Sequence, residues 1–593
     1  MSMSRMSRSA SMVALAGIIA VPSAPLAQPA VRDGDPTPAA CEALGFSPAA
    51  TGGYRYPGAP RGRTVGGQAY SMAPPLGLPT IPPLPVPPVS KRLEGDRMTP
   101  PRPAPPPGPP MIGPPRPSME TEHYPGAVAN PIKQVAEEPV STFSVDVDTA
   151  SYANVRRFLT DGRPPPSDAV RVEEMVNYFD YGYARPTDRA TPFAPFVAVT
   201  PSPWSRQRQI VQIGLQGFDV PRAGQPPLNL VFLVDTSGSM SSQDRLPLAT
   251  KALNLLVDQL RPQDRVAIVA YAGSAGAVLA PTDGRSKLKV RCALQSLWSG
   301  GSTAGGQGLT LAYDLAKQNF DPKAVNRVIL LTDGDFNVGV ADPAKLKDVV
   351  ADKRKDGVYL SVYGFGRGNY NDVMMQTLAQ NGNGTAAYVD TLNEARKLFR
   401  EDFASSLFPI ADDVKIQVEF NPATVSEYRL IGYETRMLAR EDFNNDQVDA
   451  GEVGSGASVT ALYEITPVGA RPSSDPLRYG GGKAPTPGPA GELAYLKIRY
   501  KLPGQTASRL IERPIGARDA YPTVQAAPEA ARWALAVAGF GQMLKRDPRI
   551  DPGFDWTQVI DLAQGARGED PYGLRAEFVQ LVRAAGETKP QGD

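Results

Sequence analysis

Asp235-Thr236-Ser237-Gly238-Ser239 places one carboxylate and two hydroxyls at alternating positions, directly after the apolar run Val231-Phe232-Leu233-Val234. A run of that composition reads as a buried strand, so the three oxygens fall at its carboxyl end. Oxygen-only ligands suit a hard divalent cation such as Mg²⁺. A site of this kind can hold the ion and leave part of its coordination shell free. It is a binding centre in its chemistry before it is a catalytic one.

Two further segments share this character. Gly300-Gly301-Ser302-Thr303-Ala304-Gly305-Gly306 is a glycine-rich loop ahead of a helix, and Val328-Ile329-Leu330-Leu331-Thr332-Asp333-Gly334-Asp335 is a second buried strand ending in an acidic turn. Each alone is ordinary turn chemistry. Their order and spacing make them informative together. Between about residues 226 and 408, strand candidates (228–234, 266–271, 328–331, 359–365, 386–389) alternate with helix candidates (246–260, 287–297, 306–318, 344–353, 370–380, 392–405). That alternation predicts an α/β fold with a doubly wound, mostly parallel sheet. Ligands of such sheets sit outside the carboxyl ends of the strands, where all three segments fall.

These segments resemble the metal-ion-dependent adhesion site (MIDAS) of the von Willebrand factor type A (VWA) domain, the family that includes the integrin I domain. The matching residues are Asp235-Thr236-Ser237-Gly238-Ser239, Gly301-Ser302-Thr303 and Thr332-Asp333-Gly334. The resemblance implies a metal site of Asp235, Ser237, Ser239, Thr303 and Asp333. Ser237 and Ser239 would ligate Mg²⁺ (or Mn²⁺ or Ca²⁺) directly. Thr303 would do so when a ligand is engaged, and Asp235 and Asp333 would act mainly through coordinated waters. Neutral hydroxyls leave the ion's charge uncancelled, so an Asp or Glu of a partner protein can complete its shell. In this family metal engagement can be coupled to movement of the last helix, here about 392–405. Over a wider span, from about Tyr124 to Leu581, the chain is similar to the YfbK-like bacterial envelope proteins. Phe143-Ser144-Val145-Asp146-Val147-Asp148-Thr149, Val170-Arg171-Val172-Glu173-Glu174-Met175-Val176-Asn177-Tyr178-Phe179, Thr332-Asp333-Gly334-Asp335-Phe336-Asn337-Val338-Gly339 and Glu441-Asp442-Phe443-Asn444-Asn445-Asp446 carry that likeness.

The remaining sequence frames this domain. The chain has 593 residues and a formal net charge of +1, with no basic stretch to engage nucleic acid or an anionic membrane. Arg5 and Arg8 precede the apolar run from Met12 to Val21 and small residues, which reads as a secretory signal and an exported, periplasmic or envelope protein. No later segment has the apolar length of a membrane span. From Pro74 to Pro117, 19 of 44 residues are proline. This segment is expected to act as a polyproline spacer reaching on the order of 130 Å. An alternating run at 143–148 predicts a strand, with Asp148 or Thr149 capping a helix at about 150–159 and a second helix at about 166–179. After Pro409, period-two runs at 414–420, 428–433, 458–465, 492–500 and 509–513 predict an antiparallel β unit, followed by helices at 528–544, 556–564 and 573–584. The expected divisions are a signal peptide (1–27), a Pro-rich linker (28–119), a family-specific N-terminal segment (120–200), the type A domain (226–408), and a C-terminal β domain with helices (409–585).

Competing sites fare worse. Cys41 and Cys292 leave a disulfide open in an oxidising compartment, but Cys292 reads better as a small buried apolar residue. Asp442-x-Asn444-x-Asp446 begins like a calcium loop and lacks its later ligands, so it reads as an acidic turn. Tyr363-Gly364-Phe365-Gly366-Arg367-Gly368 lacks a phosphate-loop ending and reads as the tight turn after the strand at 359–365. The single histidine, His123, rules out a Ser-His-Asp triad or a zinc site that needs histidine within the domain. The expected function is therefore an exported, non-enzymatic, Mg²⁺-dependent binding module. The alternatives are an envelope scaffold with a structural metal, or a metal-assisted hydrolase with Asp335 as base.

Overall fold

Residues 36–46, 122–124, 126, 128–145, 147–301, 305–334, 343–368, 370–448, 450–473 and 491–588 are described by the computed structural model. The expected signal and the proline-rich stretch from Pro74 to Pro117 lie outside the described residues, as does most of the turn-rich segment Arg471–Pro489, which the sequence reads as a loop. The centre of the type A region is a sheet of β1 (Leu228–Asp235), β2 (Arg265–Tyr271), β3 (Ala275–Asp283), β4 (Val325–Thr332), β5 (Val358–Phe365) and β6 (Ala386–Val389), in the order β6-β5-β4-β1-β2-β3. All pairs are parallel except β2 with β3. Every residue of β1 is buried. Leu230, Phe232 and Val234 join one core with Leu253, Val290 and Leu398, whereas Val231 and Leu233 join another with Leu309, Val350 and Met375. Helices therefore cover both faces, which explains the unbroken apolar runs. Strand β3 was not legible in the sequence. It is an edge strand, where Gly276 and Pro281 are tolerated and a polar side can face water.

Two further sheets join chain segments far apart in sequence. One runs Lys133–Gln134, Val425–Ile431, Ser458–Pro467, Gln209–Gly217, Phe193–Pro201. The other runs Gly451–Gly454, Pro409–Phe420, Glu492–Lys501, Ser508–Gly516, with Val140–Ser144 also paired antiparallel to Pro409–Phe420. Val199, Val211 and Ile213 from the first sheet share a core with Val414, Ile416, Leu496 and Ile498 from the second. The antiparallel unit after Pro409 is thus completed by strands from before the type A region, and the type A region is inserted between its halves.

The helices outside the type A region pack around Phe179, Trp533 and Phe578, whose rings meet edge-on at 5.2–5.7 Å. The helix expected at 166–179 is instead a short turn, Ser167–Ala169, then Val172–Asn177, because Val170 between them is extended. The expected cap also differs. Thr149 stands at the N-cap of Ala150–Thr160 without a side-chain bond. Asp148 accepts from the Ala386 N–H at 2.9 Å and from Arg436, while the Glu174 carboxylate takes the Ser151 N–H at 2.8 Å.

Cys41 and Cys292 form a disulfide, which corrects the reading of Cys292 as an unpaired core residue. The short helix Pro38–Ala43 lies against Lys287–Gln295, and Cys41 and Phe46 are buried in the core of the type A domain. At the other end of the proline-rich stretch, Glu122 holds the Gly368 N–H at 2.9 Å on the same domain. Cys41 and Glu122, which flank that stretch in the sequence, thus both lie on the type A domain. The acidic turn at Glu441–Asn444 is tied by Lys415, whose Nζ donates to the carbonyls of Asp442 and Asn445 at 3.0 and 2.6 Å, and no ion is needed to close it.

Candidate metal centre

Strand β1 ends at Asp235, and the chain turns sharply because the Ser237 N–H donates to Asp235 Oδ1 at 2.8 Å. A short 3-10 turn, Gly238–Ser241, follows. It brings the Ser237 and Ser239 hydroxyl oxygens to 3.0 Å from each other. The first loop is laced to the second by Gly238 N–H to Gly301 O (3.0 Å) and Gly300 N–H to Thr236 O (2.8 Å). Gly301 has φ +87°, a conformation that favours glycine. Strand β4 delivers Thr332 and Asp333 beside β1, and the Thr332 hydroxyl donates to Asp235 Oδ2 at 3.2 Å. The Tyr271 hydroxyl, from β2, reaches the same oxygen at 3.2 Å.

Asp235 and Asp333 are both 0% exposed. Burial, helped by the neighbouring Asp333 charge, pushes the Asp235 carboxyl up to about 6 against the hydrogen bonds from Ser237. Two buried carboxylates beside two hydroxyls are the oxygen set a hard cation would take, and a cation would relieve the cost of keeping Asp235 ionised. The donor chemistry therefore fits the ion. Among the described residues no group of three or more His, Cys, Asp or Glu side chains converges on a point.

Four of the five expected ligands, Asp235, Ser237, Ser239 and Asp333, are brought together. Thr303 lies outside the described residues, as does Asp335. One residue at the site was not foreseen. Arg245 donates through Nη1 to Asp333 Oδ2 at 2.8 Å and to the Ser239 carbonyl at 2.7 Å, and through Nη2 to the Arg367 carbonyl. Nothing in its sequence spacing signals this, because Arg367 and Asp333 reach it only in the folded sheet.

The last helix of the domain is three pieces: Leu392–Arg396, a π-turn Lys397–Glu401, and Phe403–Leu407. Its first turn is held by Arg156. The guanidinium binds Asp390 through Nε at 2.8 Å, Glu394 at 2.8 Å, the Tyr178 hydroxyl at 3.1 Å and Glu577 at 3.0 Å. The clamp on this helix therefore comes mainly from residues ahead of the domain, with Glu577 added from the C-terminal helix.

Fold and site define the chain as a protein built on a von Willebrand factor type A domain, and the model described as "von Willebrand factor type A domain" matches residues 229–401. Models described as "von Willebrand factor" and "Uncharacterized protein YfbK, C-terminal" match residues 118–212 and 405–588. The chain belongs to the YfbK family: it is 47% identical over 463 residues to YfbK of Escherichia coli (strain K12), covering 77% of this chain and 80% of that protein. Similarity to the human inter-alpha-trypsin inhibitor heavy chain H4 is 24% over 223 residues, 36% of this chain and 24% of that protein. Among solved structures, a von Willebrand factor type A protein from Catenulispora acidiphila is similar at 17% identity and a TM-score of 0.38, covering 68% of this chain and 91% of that chain. A type A domain is a protein-interaction module, and among the described residues no helix is long and apolar enough to cross a membrane.

Proposed function

We propose that the chain is an exported binding module whose site, formed by Asp235, Ser237, Ser239, Thr303 and Asp333, holds Mg²⁺ and through it captures an Asp or Glu of a partner protein. The observation that carries this reading is the 3.0 Å pairing of the Ser237 and Ser239 hydroxyls beside two fully buried carboxylates at the carboxyl end of β1 and β4. Magnesium prefers six oxygens in near-octahedral array and keeps some of them as exchangeable water. A site with only neutral side chains as direct ligands leaves the ion able to attract a carboxylate. Export is supported by the Cys41–Cys292 disulfide together with the basic-then-apolar start of the chain. Catalysis is not part of this reading, since the described site residues include no base beyond Asp235 and Asp333 themselves.

The test is affinity capture from an envelope extract on the immobilised chain in magnesium, with a Ser239→Ala column in parallel. Proteins retained only by the wild type and released by EDTA are expected. Retention that ignores both the chelator and the substitution would refute metal-mediated capture. The clamped last helix favours a second reading, an envelope scaffold in which the metal only ties loops together. In that case Ser239→Ala would lower the melting temperature in magnesium yet keep every partner.

A further inference from the structure

Arg245 is the N-cap residue of the helix Leu246–Gln259, and its side chain is 12% exposed. One end of the guanidinium lies on Asp333 Oδ2 and the Ser239 carbonyl. The other end lies on the Arg367 carbonyl, in the turn after β5. That turn is moulded to the arginine: Gly366 has φ +77°, and a Cβ there would stand 2.2 Å from Arg245 Nε. The same turn holds the segment ahead of the domain. The Gly368 N–H donates to Glu122 at 2.9 Å, Arg367 pairs with Asp161 at 2.7 Å, and Glu122 pairs in turn with Arg157 at 2.6 Å. A continuous set of bonds thus runs from the candidate metal loops through one side chain to Glu122, ahead of the domain.

We propose that Arg245 is an internal counter-cation of the metal site. It competes with the divalent ion for Asp333, and it transmits the ion's arrival to the 366–368 turn. The inference rests on the reading that the site takes a divalent ion and adds to it the residue that sets its affinity. The physical reason is charge. Two buried carboxylates need a cation, and with no ion bound Arg245 supplies one positive charge to Asp333. An incoming dication meets that positive charge at short range in a buried setting, where repulsion is weakly screened. Binding therefore weakens the Arg245–Asp333 bond. The guanidinium then loses the one charged partner among its three, keeping only the Ser239 and Arg367 carbonyls, and its hold on the Arg367 carbonyl loosens.

The test is a magnesium titration of the full chain by calorimetry for wild type, Arg245→Gln and Arg245→Lys, with amide hydrogen exchange at residues 366–368 followed in parallel. Removing the charge in Arg245→Gln is expected to tighten magnesium binding about tenfold or more. Arg245→Lys keeps the charge and is expected to bind near the wild-type affinity, but it is too short and too narrow to span Asp333 and Arg367. In the wild type magnesium is expected to speed exchange at 366–368, and in Arg245→Lys to leave it unchanged. Unchanged or weaker binding in Arg245→Gln overturns the proposal. So does a wild-type turn whose exchange ignores magnesium, a measurement that stands even if Arg245→Gln does not fold. A wild type that binds no magnesium removes the metal reading along with this one, whereas equal binding by wild type and Arg245→Gln removes only the role of Arg245.

Discussion

Arg156→Met is expected to lower stability by about 3–5 kcal/mol, read as a fall in the denaturant midpoint with an unchanged slope. Arg156 is 4% exposed at its side chain, and Asp390 and Glu394 are 7% and 1% exposed, so water cannot replace the guanidinium if it is removed. Methionine fills similar space, which keeps the effect electrostatic and limits any cavity. The sign with pH follows from Glu394. Burial pushes its carboxyl up, as does the Asp390 charge, while Arg156 pulls it down. Without Arg156 it rises further. A carboxyl raised in the folded state favours folding at low pH and loses that advantage as pH rises through its folded value. The deficit of Arg156→Met is therefore largest at neutral pH and narrows on acidification. A deficit that is small or flat with pH would mean that the network does not hold the last helix. Because Glu394 lies in the first turn of that helix, the same variant should also speed hydrogen exchange across residues 392–407.

Reduction of the Cys41–Cys292 bond, or Cys41→Ser, is expected to cost about 2–4 kcal/mol. The bridge joins residues 251 apart in sequence, and long loops lose the most unfolded-state entropy when closed. Part of the effect comes from packing, since Cys41 and Phe46 are 5% and 6% exposed against the type A core. A protease cut between residues 47 and 121 gives a direct readout: the N-terminal fragment should stay with the body without reductant and leave it with reductant. Release without reductant would show that the bond does not form.

The candidate-site residues Asp235, Ser237, Ser239 and Asp333, which the fold brings together, could be picked out because they sit in short, contiguous motifs at strand ends, and contiguous motifs survive in sequence. The five parallel strands were legible because burial on both faces leaves unbroken apolar runs such as Val231-Phe232-Leu233-Val234. The strands at Phe193–Pro201 and Gln209–Gly217 were not identified. The latter alternates Ile213 and Leu215 with polar or small residues and pairs with Phe193–Pro201 across residues 202–208, a connection without the Gly or Asn that marks a tight hairpin, while its other partner Ser458–Pro467 lies about 250 residues away. Edge strand β3 was hidden by Gly276 and Pro281. The disulfide could not be decided from two cysteines, because pairing depends on where Pro38–Ala43 docks. Arg245 and Arg156 carry no motif at all. Their roles come from carboxylates that the fold gathers from distant segments, and a long flexible side chain gives no spacing rule to read.

The most direct test of the central claim is a magnesium titration of the purified chain followed by calorimetry and thermal unfolding, with Ser237→Ala and Ser239→Ala alongside. A single site per chain that raises the melting temperature of the wild type, and is abolished in both variants, is the expected result. Absence of magnesium binding by the wild type at millimolar ion, or binding that survives both alanine substitutions, would contradict it.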